Sequence, residues 1–185
     1  MIPNGLEFIR RLSWPDVFGI WESAEAHLPH WKPLYKERGF STWKEWRTET
    51  LIAGFRLSEL FWGLYRISDP ASVIPNFRGG PFRSWIAKVY AGRHSPTPTF
   101  AEIAATEHIR GSEAVRRIIE NYPSSTTLIG LSTADGVVIV EGTHRSCAAA
   151  LAASEGRRLA ADISLALAEY PFGSLPVLGK ERKQQ

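Results

Sequence analysis

The chain is poor in several features that would each indicate a protein class. Only one of its 185 residues, Cys147, is a cysteine, which excludes an internal disulfide framework and fits a reducing, cytoplasmic environment. No apolar run approaches the roughly 20 residues that a membrane-spanning helix needs. The first residues show no basic segment followed by an apolar core, so neither a secretory signal nor a membrane partner is expected.

Common phosphate-binding and metal-binding motifs are also missing. The chain has no Gly-x-x-x-x-Gly-Lys, no Gly-x-Gly-x-x-Gly and no His-Glu-x-x-His, and its five histidines lack ligand-like spacing, so no structural metal is expected. The net charge of +3 permits an anionic ligand without indicating nucleic acid. The composition, 44% hydrophobic and 22% charged, is typical of a folded globular domain.

Tryptophan is abundant and unevenly distributed. The seven tryptophans are Trp14, Trp21, Trp31, Trp43, Trp46, Trp62 and Trp85. We therefore expect one domain over residues 1–185, with a helical, Trp-rich extension at 1–95, an α/β core at 96–178 and a frayed tail at 179–185. Aromatic stripes at helical spacing are usually core, and the alternative is a platform on which a base or sugar stacks.

Within the extension, sequence patterns predict helices separated by loops. A first helix begins at Ser13 with a proline in its first turn. The prolines and glycine of residues 29–40 indicate a loop, and Thr42 with Glu45 predicts the start of a second helix. The apolar residues of 57–64 recur at helical spacing and predict that a helix continues there.

Residues 136–151 form the most informative stretch. Four consecutive β-branched residues, at 137–140, follow an Asp-Gly turn and predict a strand that is covered on both faces. An alanine-rich helix follows a short corner that contains Gly142. A strand that enters a helix through a glycine directs backbone N–H groups and the positive end of the helix dipole at one point, where a phosphate or carboxylate can bind.

The side chains of this corner suit an anion site as well. Thr143 offers a hydroxyl, and His144 and Arg145 offer donors that can hold an anion from the side. The alternative is an ordinary strand-to-helix turn in which Arg145 and Glu141 form a surface ion pair.

The sequence Glu-Gly-Thr-His-Arg at 141–145, between a strand and an alanine-rich helix, resembles the signature corner of the ParB/sulfiredoxin-like superfamily. Its members include sulfiredoxins, the N-terminal domains of ParB partition proteins, and free-serine kinases. The resemblance covers about residues 115–170, because an alternating strand at 161–168 follows the helix. It implies an α/β (α+β) fold with a small mixed sheet, packed helices and, here, the Trp-rich helical layer.

The resemblance also implies a function. In the superfamily this corner grips nucleotide phosphates, which carries over to Gly142, Thr143, His144 and Arg145. We therefore expect a nucleotide-binding protein for ATP or a relative with Mg²⁺, and a small-molecule kinase or phosphotransferase is one form that it can take. Sulfiredoxins place their catalytic cysteine where this chain has Thr143, which argues against sulfinic-acid reductase activity.

Glu141 and His144 are the catalytic candidates. His144 and Arg145 would neutralise charge during transfer, and Glu141 would hold Mg²⁺ or accept a proton from an incoming hydroxyl. An acidic residue beside the glycine has a catalytic association in the serine kinases that the motif resembles. The alternative is that Glu141 only orients Arg145.

Two non-enzymatic functions stay open. One is a nucleotide-gated regulatory module of ParB type, and the other is a protein-partner scaffold with a vestigial site. A second acidic residue on the substrate side would favour an enzyme, and the candidates are Asp69, Glu102 and Glu107. In each nucleotide-dependent case the partner is a small phosphate-bearing molecule.

Residues 68–84 are a candidate second wall of the site. Two X-Pro breaks and a Gly-Gly pair exclude a regular helix there. Successive N–H groups at Gly79 and Gly80, flanked by Arg78 and Arg83, can form a nest for an anion. The alternative is a surface loop with solvated arginines.

Residues 99–119 superficially resemble a DNA-binding helix-turn-helix. The turn position that glycine usually fills is His108, however, and Glu107 stands where an apolar residue is expected. We therefore expect two helices, broken near Gly111, that pack on the sheet, and no nucleic-acid partner.

Overall fold

The computed structural model describes residues 4–179 as a mixed sheet with helices on both faces. The strands are β1 (Leu6–Leu12), β2 (Trp62–Ile67), β3 (Arg78–Gly79), β4 (Ser125–Thr133), β5 (Gly136–Glu141) and β6 (Asp162–Glu169). The helices of the N-terminal half are α1 (Trp14–Glu25), α2 (Trp31–Glu37), α3 (Trp43–Arg47), α4 (Ala53–Phe55), α5 (Pro70–Val73) and α6 (Arg83–Lys88). The later helices are α7 (Phe100–Ala104), α8 (Glu107–Arg110), α9 (Glu113–Glu120) and α10 (Thr143–Ser154). Within the described residues, none of these helices is long and apolar enough to cross a membrane.

The sheet has the order β1-β2-β6-β4-β5-β3. β1 with β2, β2 with β6, and β4 with β5 are antiparallel, whereas β4 with β6 and β3 with β5 are parallel. The strands predicted at 137–140 and 161–168 form as β5 and β6, which α10 connects, and β5 pairs with β4 across the Asp-Gly turn. The predicted mixed α/β fold is confirmed.

The N-terminal half is not a purely helical layer, as the sequence had suggested. It supplies β1, β2 and β3, so half of the described strands come from before residue 95. The helix expected over residues 57–64 is wrong, because a single turn of 3-10 helix there is followed by β2. Leu57 lies in this turn and Leu64 in β2, whereas Phe61 between them is 96% exposed, so the helical spacing of these apolar residues does not reflect one buried helix face.

The helices divide between the two faces of the sheet. α1, α3 and α4 bury Trp21, Trp43, Trp46 and Phe55 against one face, where the β4 residues Ile129 and Leu131 lie. α7, α9 and α10 cover the other face, where Leu128 and Ile139 lie. The segment 99–119 thus packs in the core, but as three helices and not the two expected: a break at residues 105–106 adds to the one expected at Gly111.

Local signals explain several helix starts. Ser13 and Asp16 form a reciprocal capping box at α1, and the Thr42 hydroxyl accepts from the backbone N–H of Glu45 at α3. The loop expected at 29–40 is wrong in its middle, because α2 forms there. Its proline lies in the first helical turn, where the missing N–H costs no hydrogen bond. The tail predicted at 179–185 lies outside the described residues after 179.

Candidate functional site

The corner between β5 and α10 is built around Gly142. This residue has φ +91°, in the left-handed region, and a Cβ added to it would lie 2.5 Å from Cδ2 of the buried Leu128. Glycine is therefore required both by backbone conformation and by space. Because glycine has no side chain to cap α10, the first-turn N–H groups of this helix receive no side-chain cap.

This helix N-terminus borders a cleft of about 920 Å³ between the Trp-rich helices and the α9–α10 layer. Residues 141–145 all line it. The Trp-rich layer contributes Trp21, Ala24, Glu25, Leu28, His30, Trp31, Leu34, Arg38, Phe40, Trp46, Arg47, Thr50 and Leu51. The corner and Trp21, Trp31 and Trp46, which are far apart in sequence, thus line one cleft.

Glu141 and Arg145 form a buried ion pair, not the surface pair considered from sequence. The Arg145 Nη2 atom donates to both carboxylate oxygens, at 2.5 and 2.7 Å, and Nη1 donates to the Thr126 hydroxyl. The Glu141 side chain is 3% exposed. Both oxygens of Glu141 accept from Arg145. The geometry therefore indicates that Glu141 positions Arg145 and does not hold a metal ion.

Burial raises the pKa of Glu141 to about 7, and the opposing charge of Arg145 only partly offsets it. Between pH 4.5 and about 7, the Glu141 carboxyl group is therefore largely protonated in the folded state and ionised in the unfolded state. Across this window Glu141 lowers the free energy of unfolding as the pH rises, and its stabilising contribution is fully present only below pH 4.5.

We therefore expect the Glu141→Gln variant, which cannot titrate, to lack this part of the pH dependence. The measurement is urea unfolding of both proteins from pH 4.5 to 8, scored as the difference between their free energies of unfolding. A difference that does not change with pH would contradict the raised pKa.

His144 lies beside Trp85, with ring centroids 5.1 Å apart in an edge-to-face arrangement. Burial lowers the pKa of its imidazole, so the ring is neutral at pH 7. A neutral imidazole can donate one hydrogen bond to a ligand. The neighbouring Thr143 is itself buried at the start of α10.

A second ion pair lines the cleft, and the sequence interpretation missed it. Arg47 donates from Nε and Nη2 to the same Glu25 oxygen, Oε2, at 3.1 and 2.5 Å. The Arg47 guanidinium lies within 4.1–5.7 Å of the ring centroids of a group that we call the tryptophan cage: Trp21, Trp31, Trp43 and Trp46. The sequence feature that could have indicated this pair is an arginine directly after the tryptophans of α3.

Glu25 is the second acidic residue of the cleft, in place of the three candidates named from sequence. Glu102 closes the capping box of α7 and pairs with Arg93 at 2.7 Å. Asp69 precedes α5, and Glu107 lies in the first turn of α8. None of these three lines the cleft.

Arg78, Gly79 and Gly80 are not brought to the corner. Arg78 and Gly79 form β3 beside β5, and the Arg78 guanidinium donates to the carbonyls of Asp135, at 2.7 Å, and of Thr97. Asp135 precedes β5, so this arginine lies at the end of the strand opposite the corner.

The glycines are packed against neighbours and do not form a nest that faces the cleft. A Cβ at Gly79 would lie 2.0 Å from the Tyr90 hydroxyl, and one at Gly80 would lie 2.8 Å from the Ile139 carbonyl oxygen. The segment still contributes a second wall a few residues later, through Phe82, Ser84 and Trp85.

No group of three or more histidine, cysteine, aspartate or glutamate side chains within residues 4–179 is placed to hold a metal ion. The carboxylates that line the cleft are Glu25 and Glu141. Each is paired with an arginine.

Comparison with known proteins adds no relative. No protein-family model matches the chain, and neither a curated protein nor a solved structure matches it significantly.

Proposed function

We propose that the chain binds a phosphate-bearing ligand of the nucleotide type, ATP or a relative, with its phosphates at the N-terminus of α10. The observation that carries the proposal is an uncapped helix N-terminus at a left-handed glycine, bordering a cleft. Unpaired N–H groups and the helix dipole together favour a negative charge at this point. The resemblance of residues 141–145 to the ParB/sulfiredoxin-like corner points to the same chemistry.

The cleft suits a ligand of this kind in size and lining. Its volume of about 920 Å³ lies near the upper end of the range for small-molecule sites. Phe82 and Trp85 line the cleft, and Trp85 lies beside His144 of the corner, so an aromatic base can pack on them. A neutral His144 adds one directional donor beside the phosphates. The Mg²⁺ would arrive with the nucleotide.

A phosphotransferase is the second candidate, and Glu25 is the observation that favours it. Both hydrogen bonds from Arg47 go to Oε2 of this carboxylate, so Oε1 accepts none from the described residues. Such an oxygen can accept a proton from an acceptor hydroxyl or hold Mg²⁺. Release of ADP from Mg-ATP in the presence of an acceptor would distinguish this enzyme from a nucleotide-gated module without turnover.

Replacing Thr143 by aspartate tests the phosphate site without truncating a side chain. Aspartate is close to threonine in size, and an acidic residue in the first turn favours the helix, which offsets part of the cost of a charge at this buried position. The thermal midpoint of the unliganded variant shows whether the fold persists. The aspartate carboxylate would place a negative charge where the phosphate binds. We expect ATP at 100 times its Kd to stabilise the wild type by about 2.7 kcal/mol, a midpoint shift of about 5–10 °C. We expect no shift for Thr143→Asp.

Thermal denaturation with ATP, ADP, CTP, GTP, NAD and inorganic phosphate, each with and without Mg²⁺, is the measurement. Thr143→Ser is the matched control, because it keeps the hydroxyl and the charge and should respond like the wild type. No shift of the wild-type midpoint by any of these ligands at millimolar concentration would overturn the proposal. An equal shift in Thr143→Asp would place the ligand elsewhere.

A further inference from the structure

The tryptophan cage contains buried donors without acceptors. The indole Nε1 atoms of all four of its members are buried and have no hydrogen-bond partner among residues 4–179. Trp62, by contrast, donates to the Leu57 carbonyl at 3.1 Å. Buried polar groups are nearly always paired, so four unpaired donors in one cluster set this end of the cleft apart from ordinary core packing. Three of these four rings, those of Trp21, Trp31 and Trp46, line the cleft.

Arg38 supplies a positive charge beside these donors. Its guanidinium lies over the Trp46 ring, 5.3 Å from the centroid, and the side chain lines the cleft. It forms no ion pair with a carboxylate of residues 4–179. Arg47 is neutralised by Glu25, so the arginines and the carboxylate at this end of the cleft sum to a charge of +1.

The remaining lining of this end is apolar. Leu28, Leu34 and Phe40 line the cleft together with Trp31. A single positive charge matches a monoanion better than a phosphate monoester, which carries about 1.5 to 2 negative charges at neutral pH. The planar guanidinium of an arginine matches the geometry of a carboxylate. Apolar walls suit the body of a molecule that carries one such group.

We propose that the tryptophan-cage end of the cleft is a second binding site, which takes a small organic carboxylate with an apolar body. Arg38 pairs with the carboxylate, and the rings of Trp31 and Trp46 pack against the apolar body. The site uses none of the residues of the α10 corner. It therefore stands or falls separately from the phosphate site.

Nuclear magnetic resonance of the ¹⁵N-labelled full chain tests this proposal, because each tryptophan gives its own indole N–H signal. The probes are benzoate, 3-phenylpropionate and hexanoate, titrated to about 10 mM, ten times a millimolar Kd. We expect saturable shifts of the Trp31 and Trp46 signals, assigned with Trp31→Phe and Trp46→Phe. The Trp62 signal should stay in place, since Trp62 does not line the cleft. No saturable shift of these signals with any of the three probes would overturn the proposal.

The variant Arg38→Ala tests the charge. We expect it to bind the best probe at least about tenfold more weakly, because a hydrogen-bonded charge pair is lost. Lys36→Ala is the matched control, since it removes an exposed positive charge from α2 that does not line the cleft. Wild-type affinity in Arg38→Ala, or equal losses in both variants, would contradict recognition by Arg38. Unchanged carboxylate binding in Thr143→Asp would establish that the two sites are separate.

Discussion

The variant Gly142→Ala is expected to lose about 2–5 kcal/mol of the free energy of unfolding. Left-handed backbone costs a residue with a Cβ about 1–2 kcal/mol. The added methyl group would also lie 2.5 Å from Leu128 Cδ2, and forcing an extra carbon into a packed core costs about 1–3 kcal/mol. Since the corner must shift to relieve this contact, we also expect the variant to lose phosphate binding. Urea unfolding and the ligand panel measure the two effects.

Gly156→Ala is the control for the backbone contribution alone. Gly156 has φ +69°, yet nothing lies within 4 Å of an added Cβ. We therefore expect this variant to lose only the conformational part, about 1–2 kcal/mol, and to bind phosphate normally. Equal losses in the two variants would show that Leu128 can move aside and that the corner is not tightly packed.

The second large effect is expected for Arg47→Ala, at about 3–5 kcal/mol of the free energy of unfolding. The Arg47 and Glu25 side chains are 8% and 17% exposed, and removing one partner of a buried pair leaves the other charge without compensation. The substitution also removes a cation from four tryptophan rings, the nearest of which is 4.1 Å away. The thermal midpoint measures the loss and should fall by about 6–20 °C.

Arg56→Ala is a control of the same chemical type in an exposed setting. Arg56 pairs with Glu59 and lies 3.8 Å from the Phe172 ring centroid, but its side chain is 48% exposed. Solvent screens such a pair, so little or no change in the midpoint is expected. Similar losses in both variants would contradict the view that burial in the tryptophan cage makes the Arg47 pair important.

The parts of the fold that were predictable from sequence are those encoded locally. The Asp-Gly turn before residue 137, the β-branched run and the alanine-rich helix each carry their own signal, and α10 and β6 follow them as predicted. Ser13 and Thr42 cap helices because a hydroxyl three residues before a backbone N–H can accept from it.

The cleft could not be predicted, because it depends on contacts between distant parts of the chain. Arg78 was assigned to an anion nest since no local pattern shows that a two-residue strand pairs in parallel with β5. Arg47 and Glu25 lie on different helices, and only the packing of α1 against α3 brings them together. The role of Glu141 depended likewise on whether Arg145 turned towards it or towards a ligand.

Phosphate binding at the N-terminus of α10 is the central claim, and backbone amide resonances test it most directly. Titration of ¹⁵N-labelled protein with ATP and with inorganic phosphate, with adenosine as the phosphate-free control, would be followed at every assigned amide. We predict that both phosphate ligands cause their largest saturable shifts at residues 142–145, and that adenosine leaves those amides unchanged. Saturable shifts that avoid these four amides, or none at all with either phosphate ligand, would contradict the account.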